Sequence, residues 1–279
     1  MKKMRSFFHS AMGTTFMFML AVLLLMTGTI GGVRATPQIF NPDFYYGGLE
    51  LDEIGITLLE NGSPVSSRNY NKTKQAFDVS SNNTNNAEQG ILLAGMLGSE
   101  KLKIGKAYPE SLSVRNTGLI PEYVRVTVYK YWVSVDEKGN ETRFDAYDAE
   151  GKEILNKLID LNFLQGSDKD WVIDPGATTK ERTVLYYKHL LDKGEDTTPF
   201  TDTLTINNKI VDYGMKVPTE TDAAGNVLSW TWSWVADGLE FRIEAEADGV
   251  QNHNAKAAMK SAWGLTDAQI NNFGIVFKP

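Results

Sequence analysis

Apolar and polar residues take turns along stretch after stretch of this 279-residue chain. A repeat of two fits a half-buried strand and cannot form the apolar stripe of a surface helix. Residues 239–247 show it most cleanly: Leu239, Phe241, Ile243, Ala245 and Ala247 alternate with Glu240, Arg242, Glu244 and Glu246. Residues 123–135 are denser still in β-branched and aromatic side chains, which fit a pleated surface. The same reading predicts strands at 49–59 (with a bulge at Glu53), 111–116, 170–174, 182–191, 204–206 and 227–235.

Turn chemistry separates these runs. Asn61-Gly62 marks a tight turn, and the polar, Asn/Ser-rich stretch 61–90 reads as a long surface loop. Ala236-Asp237-Gly238 predicts a hairpin that joins 227–235 to 239–247. Helical spacing is rare. Ile154, Leu155, Leu158 and Leu161 predict a helix over 153–161. Asn254 is placed to cap a helix through Ala255, Ala258, Met259 and Trp263 that stops at Gly264, and Thr266 to cap a last short helix to about Asn272. Some eight short strands without β–α alternation predict a mostly β, antiparallel sandwich with a few short helices. No repeat or composition break divides residues 49–279, so they are expected to form one domain.

The first 35 residues have a different character. Lys2, Lys3 and Arg5 precede an unbroken apolar run over 16–26, then Gly and Thr lead to Val33-Arg34-Ala35. Positive region, apolar core and small residues in that order predict a secretory signal peptide cut before Thr36, with Val33 and Ala35 in the peptidase pockets. The 11-residue run is short of the roughly 20 that span a bilayer. The expected product is therefore secreted, meets a signal peptidase during export, and keeps no membrane span. The leader holds four basic residues and no acid, so the 244 residues after it carry 24 Lys and Arg against 35 Asp and Glu, a formal charge of −11. Such a chain is repelled by phosphate backbones, which argues against nucleic acid as a partner. No cysteine is present, so disulfides, thiol nucleophiles and Cys-ligated metals are excluded.

Catalytic patterns are sparse. His189 and His253 are the two histidines beyond the leader, and neither lies in a His-Glu-x-x-His helix motif or near a Gly-x-Ser-x-Gly elbow. The acids at Asp145, Asp148 and Glu150, and Asp222 with Asn226, only partly resemble calcium loops and read as polar turns. No catalytic residue, cofactor or metal ligand is assigned, and the chain is read as a non-enzyme. Trp230, Trp232 and Trp234 fall on one side of 227–235. Three such rings are expected to fill the sandwich core; exposed, they would form a platform for a carbohydrate.

Several stretches taken in order carry a likeness. The leader tail from Gly28 to Ala35 runs into an aromatic arm and then a strand beginning Leu49-Glu-Leu-Asp-Glu-Ile-Gly-Ile. Leu112-Ser-Val-Arg-Asn-Thr-Gly precedes Tyr123-Val-Arg-Val-Thr-Val, and Leu185-Tyr-Tyr-Lys and Ile243-Glu-Ala-Glu-Ala-Asp-Gly follow. This layout resembles the TasA/camelysin family of exported bacterial proteins, whose leaders are cut by a SipW-type peptidase. The resemblance implies a jelly-roll-like sandwich and a structural role at the cell surface or in a biofilm matrix, in fibres built from copies of the chain or with other matrix proteins. It also implies that an arm at residues 36–48, with Ile39, Phe40, Phe44, Tyr45 and Tyr46, completes a neighbour's sheet, although Pro37 and Pro42 remove two backbone donors. Camelysin-type members are called metalloproteases, but no zinc motif is present to carry that activity over. A carbohydrate-binding module on the cell surface is the first alternative reading, and a camelysin-like metalloprotease the second.

Overall fold

The computed structural model describes residues 54–96, 101–145 and 155–277. The leader, the arm and residues 49–53 lie outside them, and with them the site residues Val33, Ala35, Thr36, Ile39, Phe40, Phe44, Tyr45 and Tyr46.

The chain starts as a meander. β1 (Gly55–Glu60), β2 (Ser63–Asn71) and β3 (Ala76–Ser81) are successive antiparallel neighbours. Asn61 and Gly62 both take positive φ, as the tight turn requires. The loop expected over 61–90 is therefore corrected: residues 63–71 and 76–81 within it are two strands. Their polar residues face outward in β3, where the partly buried Phe77 packs edge-on against Tyr70 at 5.4 Å. The register slips by one residue between Leu58 and Leu59, and the extra residue, Val65, is buried with both leucines.

β4 (Ala107–Pro109) pairs with a different sheet, and β5 (Leu112–Asn116) returns to pair with β1. The first sheet thus runs β3-β2-β1-β5. β6 (Glu122–Val135) is the backbone of a second sheet. β7 (Glu141–Phe144) folds back on its end through Asp136–Asn140, where Asp136 Oδ1 accepts from the amides of Lys138 and Asn140 and Gly139 takes φ +81°.

The helix expected over 153–161 is also corrected. The described part of that stretch holds one 3-10 turn, Asn156–Leu158, leading into β8 (Ile159–Phe163), in which Ile159 and Leu161 are buried and Asp160 and Asn162 exposed. Trp132 Nε1 donates to Leu155 O at 2.9 Å and fixes the turn against β6. β9 (Trp171–Ile173), β10 (Arg182–Tyr187) and β11 (Thr201–Ile206) follow, the last flanked by β4 and β8 in a three-stranded sheet.

β12 (Gly214–Thr221) and β13 (Val227–Trp234) pair with each other, and β14 (Leu239–Gln251) pairs along its whole length with β6. The expected hairpin between 227–235 and 239–247 is thus absent. The turn at Ala236–Gly238 redirects the chain, while the closed hairpin turn lies one connection earlier, at Asp222–Asn226. The second sheet runs β14-β6-β10-β9.

The mostly β, antiparallel sandwich expected from the sequence is the fold. One face of the second sheet presents Val124, Val126, Val128 and Leu185 to Ile56, Leu58, Leu112 and Val114 of the first sheet and to Leu204 and Ile206 of the third. Trp171 closes this core, with Phe200 edge-on at 5.3 Å and its Nε1 donating to Thr198 O at 2.7 Å. The other face is covered near one end by α1 (Ala255–Trp263) and α2 (Asp267–Asn272), where Tyr123, Tyr186 and Val250 meet Met259, Ile270 and Phe273. Cover on both faces leaves the start of β6 buried almost without interruption, its polar Glu122 and Thr127 included.

Two of the three expected helix ends behave as their sequence implies. Thr266 forms a reciprocal capping box with Gln269, and Gly264 ends α1 with φ +71°. Asn254 takes the left-handed conformation and its side chain makes no capping bond.

Candidate functional site

The hairpin of β12 and β13 carries the most exposed large apolar side chains of the described residues. Asp222 organises its turn: Oδ1 accepts from the amides of Ala224 and Asn226 at 2.9 and 2.8 Å, and Oδ2 accepts from Asn226 Nδ2 at 2.9 Å. The Asn226 side-chain bond, then the backbone one, holds the Asp222 carboxyl below its ordinary pKa. Gly225 takes φ +85° to close the loop. At the other end, Val235 N donates to Tyr213 O at 2.9 Å. Tyr213 packs on the main core.

Trp230, Trp232 and Trp234 lie opposite Pro218, Lys216 and Gly214. With Leu228 they leave 56–69% of their surface exposed. The expectation that these rings fill the core is therefore corrected: the hairpin has two strands, and no further layer covers it among the described residues. The two edges of the hairpin differ. β12 carries Pro218 and an extra residue, Thr219, features that obstruct pairing, while a second register shift near the turn leaves Leu228 of β13 as the extra residue. β13 reads Val-Leu-Ser-Trp-Thr-Trp-Ser-Trp, with no proline, glycine or charge, and has a strand partner on one side only among the described residues.

A second feature lies on the outer face of the β14-β6-β10 sheet, where α1 and α2 stop short. A cleft of about 460 Å³ opens between the 174–177 turn and the Trp263–Leu265 corner. Its floor is set by register: Glu246, Thr127 and Val184 lie in one row, and Tyr129 and Arg182 in the next. Arg125 is spent on Asp248, to which Nε and Nη2 donate at 2.9 and 2.6 Å, and it sits 5.6 Å from the Trp263 ring centre. Burial nonetheless leaves the Asp248 pKa raised, because desolvation outweighs the guanidinium. Glu246 is raised too, first by burial and then by Asp248 and Glu244. None of these cleft residues stands out as a motif in the sequence, since strand pairing alone brings them together.

His189 Nε2 lies 2.8 Å from Asp170 Oδ1, and both are substantially exposed. Asp145 pairs with Lys180 at 3.1 Å, while Asp148 and Glu150 lie outside the described residues. Among the described residues no three His, Cys, Asp or Glu side chains are grouped to hold a metal ion, and no helix is long and apolar enough to cross a membrane. Compared with known proteins, the chain matches no family model, no curated protein and no solved structure.

Proposed function

We propose that this chain is an exported structural protein of the cell surface or extracellular matrix that polymerises by adding a strand of a neighbouring copy to its sheets. The observation that carries this reading is the β13 edge: eight residues of high strand propensity, uncharged, with Leu228, Trp230, Trp232 and Trp234 all exposed. An unprotected edge of that kind is a template for main-chain pairing, with alternate side chains supplying specificity. The leader pattern over 1–35 and the aromatic segment 36–48 agree with export and with a donated strand. The test is electron microscopy and sedimentation of the chain beginning at Thr36. Fibres are expected from this chain and none from a Thr231→Lys variant, since a charge on the edge opposes strand addition. Persistence of fibres after deletion of 36–48 would exclude the arm as the donated strand.

A second reading rests on the same three rings. Indoles presented in line on one face could stack on sugar rings, which would make the hairpin a carbohydrate module. Loss of polysaccharide retention in Trp232→Ala, with fibres unchanged, would favour it over assembly.

A further inference from the structure

We infer that the cleft on the outer face of the second sheet binds a neutral sugar of one or two rings. This site is separate from the β13 edge, and the inference does not depend on polymerisation.

Two charged groups of the cleft that lack an opposite charge in contact differ in sign and are set apart. Arg182 donates through Nε to Ala177 O at 3.0 Å, and has no carboxylate partner among the described residues. Glu246 is half-buried and makes no hydrogen bond among them. Register places Arg182 two strands away from Glu246, a lateral separation of about 10 Å. Between them lie the Thr127 hydroxyl and the Tyr129 phenol. On the wall, Gln269 commits Oε1 to Thr266, so its remaining amide group can only donate.

A ligand for this set needs donors and acceptors together. An anion matches Arg182 but meets Glu246 and Asp174; a cation matches the carboxylates but meets Arg182. Sugar hydroxyls donate and accept at once, so one neutral ring satisfies both ends without bringing a charge into the cleft. Half-buried polar groups left unpaired by a ligand are costly, so the set rejects apolar molecules. Trp263, half-buried at the rim, supplies the apolar surface that the C–H face of a sugar ring needs. The volume lies in the ordinary range for small-ligand sites and exceeds the needs of a single ring. The upward shift of the Glu246 pKa agrees with a carboxyl that has no partner until a hydroxyl arrives.

The experiment is calorimetric titration of the protein with cellobiose, maltose, lactose and diacetylchitobiose, with glucuronic acid and glucosamine as charged counterparts. At least one neutral disaccharide is expected to bind more tightly than either charged sugar. Glu246→Ala and Arg182→Ala should each weaken it about tenfold, the loss expected when one charged hydrogen bond is removed. Thr127→Val, which keeps the shape of a buried side chain, should weaken it while leaving the near-ultraviolet spectrum unchanged and so separates binding from folding. No binding by any neutral disaccharide, tighter binding of a charged one, or full affinity in Glu246→Ala, Arg182→Ala and Thr127→Val would overturn the inference.

Discussion

The Glu122 carboxyl, at the start of β6, accepts the Gly55 amide at 2.9 Å and so ties β1, an inner strand of the first sheet, to β6, an inner strand of the second. The residue is wholly buried, and Gly249 on β14 lies so close to Oε2 that a side chain there has no room. Burial pushes the Glu122 pKa up to about 8, against the lowering effect of the Gly55 bond.

That shift fixes a pH dependence. The folded state holds the proton to about 8, whereas the unfolded chain releases it near 4.5. Between those values the folded form binds more protons, so the contribution of Glu122 is full below the lower value and is lost as pH rises through the upper one. Glu110, buried beside Glu60, is raised by burial first and then by its neighbour, and acts in the same direction. Denaturant midpoints should therefore fall from pH 5 to pH 8, and Glu122→Gln should flatten that slope. An unchanged slope in the variant would count against a buried, protonated Glu122.

Gly249→Ala should destabilise the fold by about 1–3 kcal/mol, the usual cost of forcing atoms into a filled core. Its added carbon meets the Glu122 carboxyl and the Ile56 side chain, both held by neighbouring strands. Gly62→Ala, whose added carbon meets nothing within 4 Å, is the control for backbone strain alone. Urea denaturation of the two variants makes the comparison.

Of the six tryptophans, Trp132 and Trp171 are buried, Trp263 is half-buried, and the three of the hairpin are exposed. Trp171 is fully buried, and Trp171→Ala is expected to cost about 3–5 kcal/mol. Trp232 is 69% exposed, and Trp232→Ala should change stability by less than about 0.5 kcal/mol. Acrylamide should quench much of the wild-type fluorescence, and the quenchable share should drop in a variant lacking the three hairpin rings.

Asp222→Ala should loosen the hairpin without touching the sandwich. Its carboxylate holds the turn amides, and the lowered pKa means this support is present above the ordinary aspartate value and fades as pH falls below it. Hydrogen exchange should quicken at β12 and β13 amides and stay slow along β6.

Strand identity was legible wherever alternation was strong, as in Ile243, Ala245 and Ala247 against Glu244 and Glu246. Pairing was less so. Asp237-Gly238 looked like a hairpin turn, but Asp136-x-x-Gly139-Asn140 and Asp222-x-x-Gly225-Asn226 share one turn chemistry, and that repeated pattern marks two of the true hairpins. β12 escaped notice because Gly214 and Pro218 break its pattern, as edge strands often do. The tryptophans were misplaced for a related reason: alternation assigns them to one face, but only the number of neighbouring layers says whether that face is covered. The cleft was invisible because Glu246, Thr127 and Arg182 are far apart in the chain and meet only through register.

The most direct test of the proposed assembly is sedimentation of the chain from Thr36 onward beside its Thr231→Lys variant, both with unchanged near-ultraviolet spectra. Large polymers from the parent and a single small species from the variant are the predicted result. Monomers from both, or polymers of equal size from both, would contradict assembly through the β13 edge.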